Sequence, residues 1–467
     1  MRAILLDSDV FTGDCVTLAL GGFWGLEVSE SANAPATAVR GELAVGFQKD
    51  ACGQAVTMSG ARLGVWMTLT PEKAAGLPAG TWAASKPPTL SEWESIFEKA
   101  RLGMKQFRVP LTHQPIHIET VLKLGTVPCD LHLKLSDQKT VRVLAEGDAF
   151  SDEDLAKYSE KKTDLLWVHP NDVRRVLEVL IKEARSLDAF QIALSNPGEV
   201  QALLDTTQNT TLRADIEQLS DLHGSADDRL TVLSGTQEHV QKELRRFGIT
   251  EELQNVLRVQ VQTAINAIKH DNKLAELLGR LAVEPDRYLS SHSTLLAYLA
   301  CCISTFLEWH SVTTQYKLSL AAFLHDMTIS DHGLARFQTL PELFGSGKVF
   351  SPEEIRGFQN HPSEAADLVA DLPLIPPDVG LIIAQHHERP DGSGFPRGLR
   401  ASRISPLSAV FMISHDLLTW QMDKKALGVA KPSVLDFCSE REAVWNVGHV
   451  GKILKSIQAA AAAGKFQ

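Results

Sequence analysis

Over residues 1–105, short apolar runs alternate with helical stretches. Ala3–Leu6, ending in Asp7, Ser8 and Asp9, predicts a strand, and Cys15–Phe23 a helix. Leu43–Phe47 and Gly64–Leu69 predict further strands, and Leu90–Leu102 an amphipathic helix. Strands alternating with helices imply a parallel, helix-covered sheet, so an α/β domain is expected here. The rhythm then changes. In residues 106–182, Cys129–Leu135 alternates with period two, Thr140–Ala145 and Leu165–Val168 read as strands, Ser151-Asp152-Glu153-Asp154 opens a helix, and Asn171-Asp172 caps another running through Ile181. This is the pattern of a small α+β module. Residues 183–250 are polar, broken at Asn196-Pro197-Gly198 and Gly224-Ser225, and read as a helical linker. From Leu253 to Leu418 the chain reads as helices joined by short loops, which predicts an all-α domain over 251–467. Its first helix carries Leu253, Leu257, Val261, Ala264, Ile265 and Ile268 at helical spacing, a stripe suited to core packing or a homodimer seam.

Composition narrows the setting. A chain of 467 residues exceeds one ordinary core, so a multidomain protein is expected. A net charge of −11 argues against a general nucleic-acid surface, yet leaves room for a small phosphate ligand held by local cations. Met1–Leu6 meets Asp7 too soon for a signal peptide. The longest apolar run, Thr294–Leu307, is shorter than the roughly 20 residues of a membrane span. The six cysteines form no CxxC pair, which fits a reduced, cytoplasmic chain.

Histidines and aspartates concentrate in the helical domain: His292, His325-Asp326, His361, His386-His387 and Asp416. Their spacing roughly matches one helical hairpin per ligand, so successive helices can deliver them to a common interior. Seven such donors exceed the need of one ion and suit two divalent metals about 3.5–4 Å apart bridged by a carboxylate. Asp326 is the natural bridge, and Glu388 is a candidate to orient the histidines. Nitrogen and oxygen donors without thiolate favour iron, manganese or zinc. His310, His332, His415 and His449 read as ordinary core residues.

The segment His386-His387-Glu388-Arg389-Pro390-Asp391-Gly392-Ser393-Gly394-Phe395-Pro396 meets the pattern HHExxDGxGYP at every position but one. With Ser291-His292-Ser293, Leu324-His325-Asp326 and Asn360-His361-Pro362 ahead of it, the region Ser291–Lys424 resembles the HD-GYP branch of the HD-domain phosphohydrolases, which hydrolyse cyclic di-GMP. The resemblance implies that His292, His325, Asp326 and Asp416 hold one metal and Asp326, His361, His386 and His387 the other, with His325 and Asp326 as the catalytic pair. It implies that a signature loop with Arg389, Asp391, Gly392, Gly394, Phe395 and Pro396 shapes the substrate pocket and supports contacts with signalling proteins. Four positions depart from the family pattern: Ile329 where a lysine is usual, Phe395 for the signature tyrosine, Tyr288 where three-metal members carry glutamate, and Ala409-Val410 for Ala-Arg. Two readings follow, a phosphodiesterase yielding pGpG or GMP, and a catalytically weak or inactive cyclic di-GMP sensor acting through its N-terminal modules.

Acids after the first strand and Lys86-Pro87 after the last resemble a response-regulator receiver domain. The phosphoacceptor place reads Phe47-Gln48-Lys49-Asp50, so Asp50 is the candidate acceptor and a phosphorylation-incompetent pseudo-receiver is the expected form.

Overall fold

The computed structural model describes residues 2–6, 9–31, 43–46, 63–68, 81–85, 87–100, 106–110, 112–124, 126–136, 139–150, 158, 163–195, 197–221, 226–270, 287–307, 311–370, 372, 375–429 and 432–466. Asp50, Lys86, His310 and the helix expected from Ser151-Asp152-Glu153-Asp154 lie outside these residues. The chain divides into two compact units, Met1–Asp188 and Ala189–Gln467.

The first unit contains two sheets. Strands β1 (Arg2–Leu6), β2 (Glu27–Ser31), β3 (Leu43–Gly46), β4 (Leu63–Thr68) and β5 (Thr81–Ser85) pair in parallel in the order β2-β1-β3-β4-β5. β2 has no counterpart in the expected strands, because Glu27–Ser31 is too polar to register as an apolar run. The helix at Val10–Thr17 starts five residues before the expected Cys15, since Asp9 caps it by accepting from the Thr12 amide at 3.0 Å. The amphipathic helix covers Leu90–Lys99 and opens with a capping box between Thr89 and Glu92.

Strands β6 (Gln114–His117), β7 (Leu131–Ser136), β8 (Lys139–Leu144) and β9 (Leu165–Val168) form an antiparallel sheet ordered β6-β9-β7-β8. β6 was not expected from the sequence, as Pro115 obscures its alternation. The helix expected to stop at Ile181 runs over Val173–Ser195, because no breaker intervenes before Pro197. One apolar cluster runs from Phe11 through Trp93, Ile116 and Phe150 to Ile181, so residues of both sheets share a core.

The regular elements described in the second unit are all helices. The stretch read as a linker forms helices at Pro197–Thr206, Thr210–Ser220 and Ala226–Phe247. Their apolar positions, among them Leu212, Ile216, Leu233 and Val240, are buried. Gln237 also donates to the Phe323 carbonyl at 2.7 Å. The stripe of the Glu251–His270 helix is buried at Leu253, Leu257, Val261, Ala264 and Ile265, which makes it a core seam of this unit. Helices at Tyr288–Ser304, Val312–Leu324, Pro352–Ala370, Pro377–Gln385 and Pro406–Ala426 then surround a polar interior. No helix among the described residues is long and apolar enough to cross a membrane.

Candidate metal centre

Each of those five helices delivers a histidine to the interior. His292 lies in the Tyr288–Ser304 helix and His415 in the Pro406–Ala426 helix. His325 caps the end of Val312–Leu324, followed by Asp326. His361 lies within Pro352–Ala370, and His386 caps Pro377–Gln385, followed by His387. All these side chains are buried.

Peptide carbonyls orient most of the rings. His325 Nδ1 donates to the Ala322 carbonyl at 2.9 Å, and His386 Nδ1 to Ile383 at 2.6 Å, in each case a carbonyl of the helix's last turn. His361 Nδ1 donates to the Phe358 carbonyl at 2.7 Å in mid-helix. That acceptor is free because the residue four positions on is Pro362, which has no N–H to return to it. His387 Nδ1 donates to the Gln338 carbonyl at 3.0 Å. With Nδ1 carrying the proton, Nε2 is the lone-pair nitrogen that points inward.

The fit to a metal follows from what those nitrogens face. His361 Nε2 and His386 Nε2 stand 3.0 Å apart, two lone pairs with no proton between them. Two donors at bond lengths of about 2.1 Å, roughly at right angles on one cation, lie about 3 Å apart. Asp326 sits beside them with both oxygens buried and without a hydrogen bond. Its nearest imidazole nitrogens are His325 Nε2 at 3.1 Å, His361 Nε2 at 3.4 Å and His386 Nε2 at 3.8 Å. On the other side His292 Nε2 and His415 Nε2 are 2.8 Å apart. Three donor groups result: His292, His325 and His415; His361, His386 and His387; and His325, Asp326 and His386. Uncompensated buried donors of this kind suit a cation, and the second and third groups share His386 while the first and third share His325.

Electrostatics agree. Burial, assisted by His325, lowers His292 to a pKa of about 3. Burial and neighbouring imidazoles hold His386, His387 and His415 well below the usual imidazole range. The rings are therefore neutral at pH 7, as ligands must be. Burial alone would raise Asp326, but His325 and His361 outweigh it and keep the carboxyl well below its usual range.

Asp416, expected as a ligand, is not brought into these groups. Its Oδ2 accepts from Arg389 at 3.2 Å and from the Trp445 indole at 2.8 Å, with Arg441 Nε at 3.3 Å. The neighbouring His415, expected to be an ordinary core residue, takes the interior position. Sequence reasoning passed over it because Asp416 satisfies the HD-type pattern one residue later. Glu388 does not orient a histidine: it accepts from the Arg397 and Leu399 amides, both at 2.7 Å, and so clamps the signature loop.

In that loop Phe395 stacks on His387, ring centroids 4.5 Å apart, and precedes Pro396 through a cis peptide. Gly394 admits no side chain, since a Cβ would lie 2.3 Å from the Arg389 nitrogen. Gly392 has φ +87°, and Asp391 accepts from the Ser393 amide and hydroxyl. Ile329 lies in an apolar cluster with Tyr288, Phe358 and Phe395. Tyr288 stacks on His292 at 5.1 Å, and Ala409 and Val410 are fully buried.

Residues 276–429 match the family model described as HD domain. The chain thus carries an HD domain in its C-terminal part. Among curated proteins it is similar to the cyclic di-GMP phosphodiesterase PA4108 of Pseudomonas aeruginosa, 28% identical over 193 residues. That alignment covers 40% of this chain and 42% of the relative, less than half of either. Among solved structures, the HDG"Y"P protein Bd1817 from Bdellovibrio bacteriovorus overlays with 19% identity and a TM-score of 0.39, covering 75% of this chain and 99% of that one.

Proposed function

We propose that the protein hydrolyses cyclic di-GMP to pGpG or GMP at a centre of two divalent ions, iron or manganese, with zinc as the third candidate. The observation that carries this reading is the Asp326 carboxylate, set without hydrogen bonds between two groups of buried imidazoles. In it Asp326, His361, His386 and His387 hold one ion, and His292, His325, Asp326 and His415 the other, with His415 in the role first expected of Asp416. Such ions acidify a water and neutralise charge on the attacked phosphate. The protein's part is to fix the donors: carbonyls set the tautomers of His325, His361, His386 and His387, and the loop closed by Glu388 walls the pocket beside His387. The activity named for the P. aeruginosa relative supplies the substrate class.

A specific observation also favours the sensor reading. Ile329, where the family has a lysine, is packed among apolar side chains and offers no charge to a phosphate. Losing one preorganised cation costs on the order of 10²–10³ in rate. In either reading the N-terminal unit passes the signal on, and its parallel five-stranded sheet supports a receiver-like contact module. The test is to quantify bound metals in the purified protein and incubate it with cyclic di-GMP. Release of pGpG or GMP is expected; tight binding with two ions and no product would establish the sensor instead, and a metal-free protein would overturn both.

A further inference from the structure

The HD-domain match ends at residue 429, but the chain continues through helices at Val434–Glu440, Glu442–Trp445 and Gly448–Ala462. These return to the signature loop. Trp445 is fully buried and donates its indole N–H to Asp416 Oδ2. The same oxygen holds Arg389 of the loop and lies against Arg441. The Arg389 guanidinium also rests over the Trp445 ring, 4.5 Å from its centroid, where a desolvated cation–π contact adds to the ion pair. At the far end of the loop, a Cβ on Gly448 would come 3.2 Å from the Ala401 side chain, and the Ala401 amide donates to the Pro390 carbonyl. Residues outside the matched domain therefore grip the loop near both of its ends.

The geometry points to a latch: the segment after residue 429 holds the signature loop in place over the imidazoles, with Asp416 joining Arg389 to Arg441 and Trp445. Asp416 is then a positioning residue. Its Oδ2 accepts from Arg389 and from the Trp445 indole, with Arg441 Nε 3.3 Å away, and no candidate donor group among the described residues includes it. Arg389 is the link to the chemistry, because it is two residues from His387 and precedes the turn whose Phe395 ring stacks on that histidine. The effect on turnover rests on the phosphodiesterase reading; the latch itself does not.

Full-length Asp416→Asn and Trp445→Phe proteins test this. The second keeps an aromatic ring and removes only the indole donor and its extent, so it guards against simple misfolding. Hydrogen exchange of the Arg397 and Leu399 amides should accelerate about tenfold in both variants, since their protection depends on the closed loop. Metal content per chain should match that of the wild type, while kcat/KM for cyclic di-GMP falls about tenfold, as for other residues that act through a ligand-bearing element. Unchanged exchange in both variants would overturn the latch. So would loss of metal in Asp416→Asn with full retention in Trp445→Phe, because Asp416 would then be a ligand. Should the wild type show no turnover, the phosphodiesterase reading fails, and the exchange measurement still decides the latch.

Discussion

His361 and His386 face each other through Nε2 atoms 3.0 Å apart while both Nδ1 atoms are committed to carbonyls of their own helices. Neither ring can supply the proton that would turn this approach into a hydrogen bond. Changing His386 and His387 together to alanine should therefore abolish metal binding at this half of the centre, read by elemental analysis of the purified protein. Chelation should lower the melting temperature of the wild type, because an ion present at a thousandfold excess over its Kd stabilises by about 4 kcal/mol. Unaltered metal content in the double variant would contradict the donor assignment.

His415 lies 2.8 Å from His292 and opposite the other group. His415→Ala should reduce bound metal from two ions toward one, leaving the His361, His386 and His387 side loaded. A full complement of metal in this variant would return His415 to the role of an ordinary core residue.

Gly394→Ala places a methyl group 2.3 Å from the Arg389 nitrogen and 2.4 Å from the Glu388 carbonyl carbon, both backbone atoms that cannot move aside alone. The loop must rearrange, at a cost in the overpacking range of about 1–3 kcal/mol. Denaturant melts should show the loss, and the Glu388 contacts to Arg397 and Leu399 should weaken with it. A variant as stable as the wild type would mean the loop is looser than its packing implies.

Asp215, buried on the Thr210–Ser220 helix, has a carboxyl raised above 3.8 by burial, although His239 at 3.0 Å pulls the other way. The folded state then binds more protons than the unfolded one through this range, so the group's stabilising contribution is complete below about pH 4 and is lost as pH rises through the folded value. Asp215→Asn removes that dependence. Between pH 4 and pH 7 the stability difference between variant and wild type should move in the variant's favour, measured by urea unfolding at both ends. A constant difference would exclude the effect.

The part of the site written in consecutive letters was legible: His325-Asp326 and His386-His387 need no tertiary information to stand out, and Asn360-His361-Pro362 even contains the proline that frees the Phe358 carbonyl. What could not be read was which of two adjacent residues on one helix turns inward. His415 and Asp416 differ by about 100° around the helix axis, and only packing decides between them. The partners that fix Asp416 outward, Arg389, Arg441 and Trp445, lie 25 to 29 residues away in either direction and follow no periodic pattern. The same limit hid β2 and β6, whose polar or proline-bearing strands are defined by their neighbours. It also hid the packing of residues 197–247, whose apolar positions are too sparse to announce a core.

Alignment of histidines by carbonyls instead of carboxylates also settles the charge balance of the pocket. Peptide oxygens bring no net charge, and Asp416 is already neutralised by arginines. Under the two-ion reading, each ion carries two positive charges against the single carboxylate of Asp326, so most of their charge stays unscreened in a buried space. With both ions bound, a chain that is acidic as a whole would hold a strongly electropositive hollow, an attractor for a ligand bearing several phosphate charges and a poor host for a neutral one.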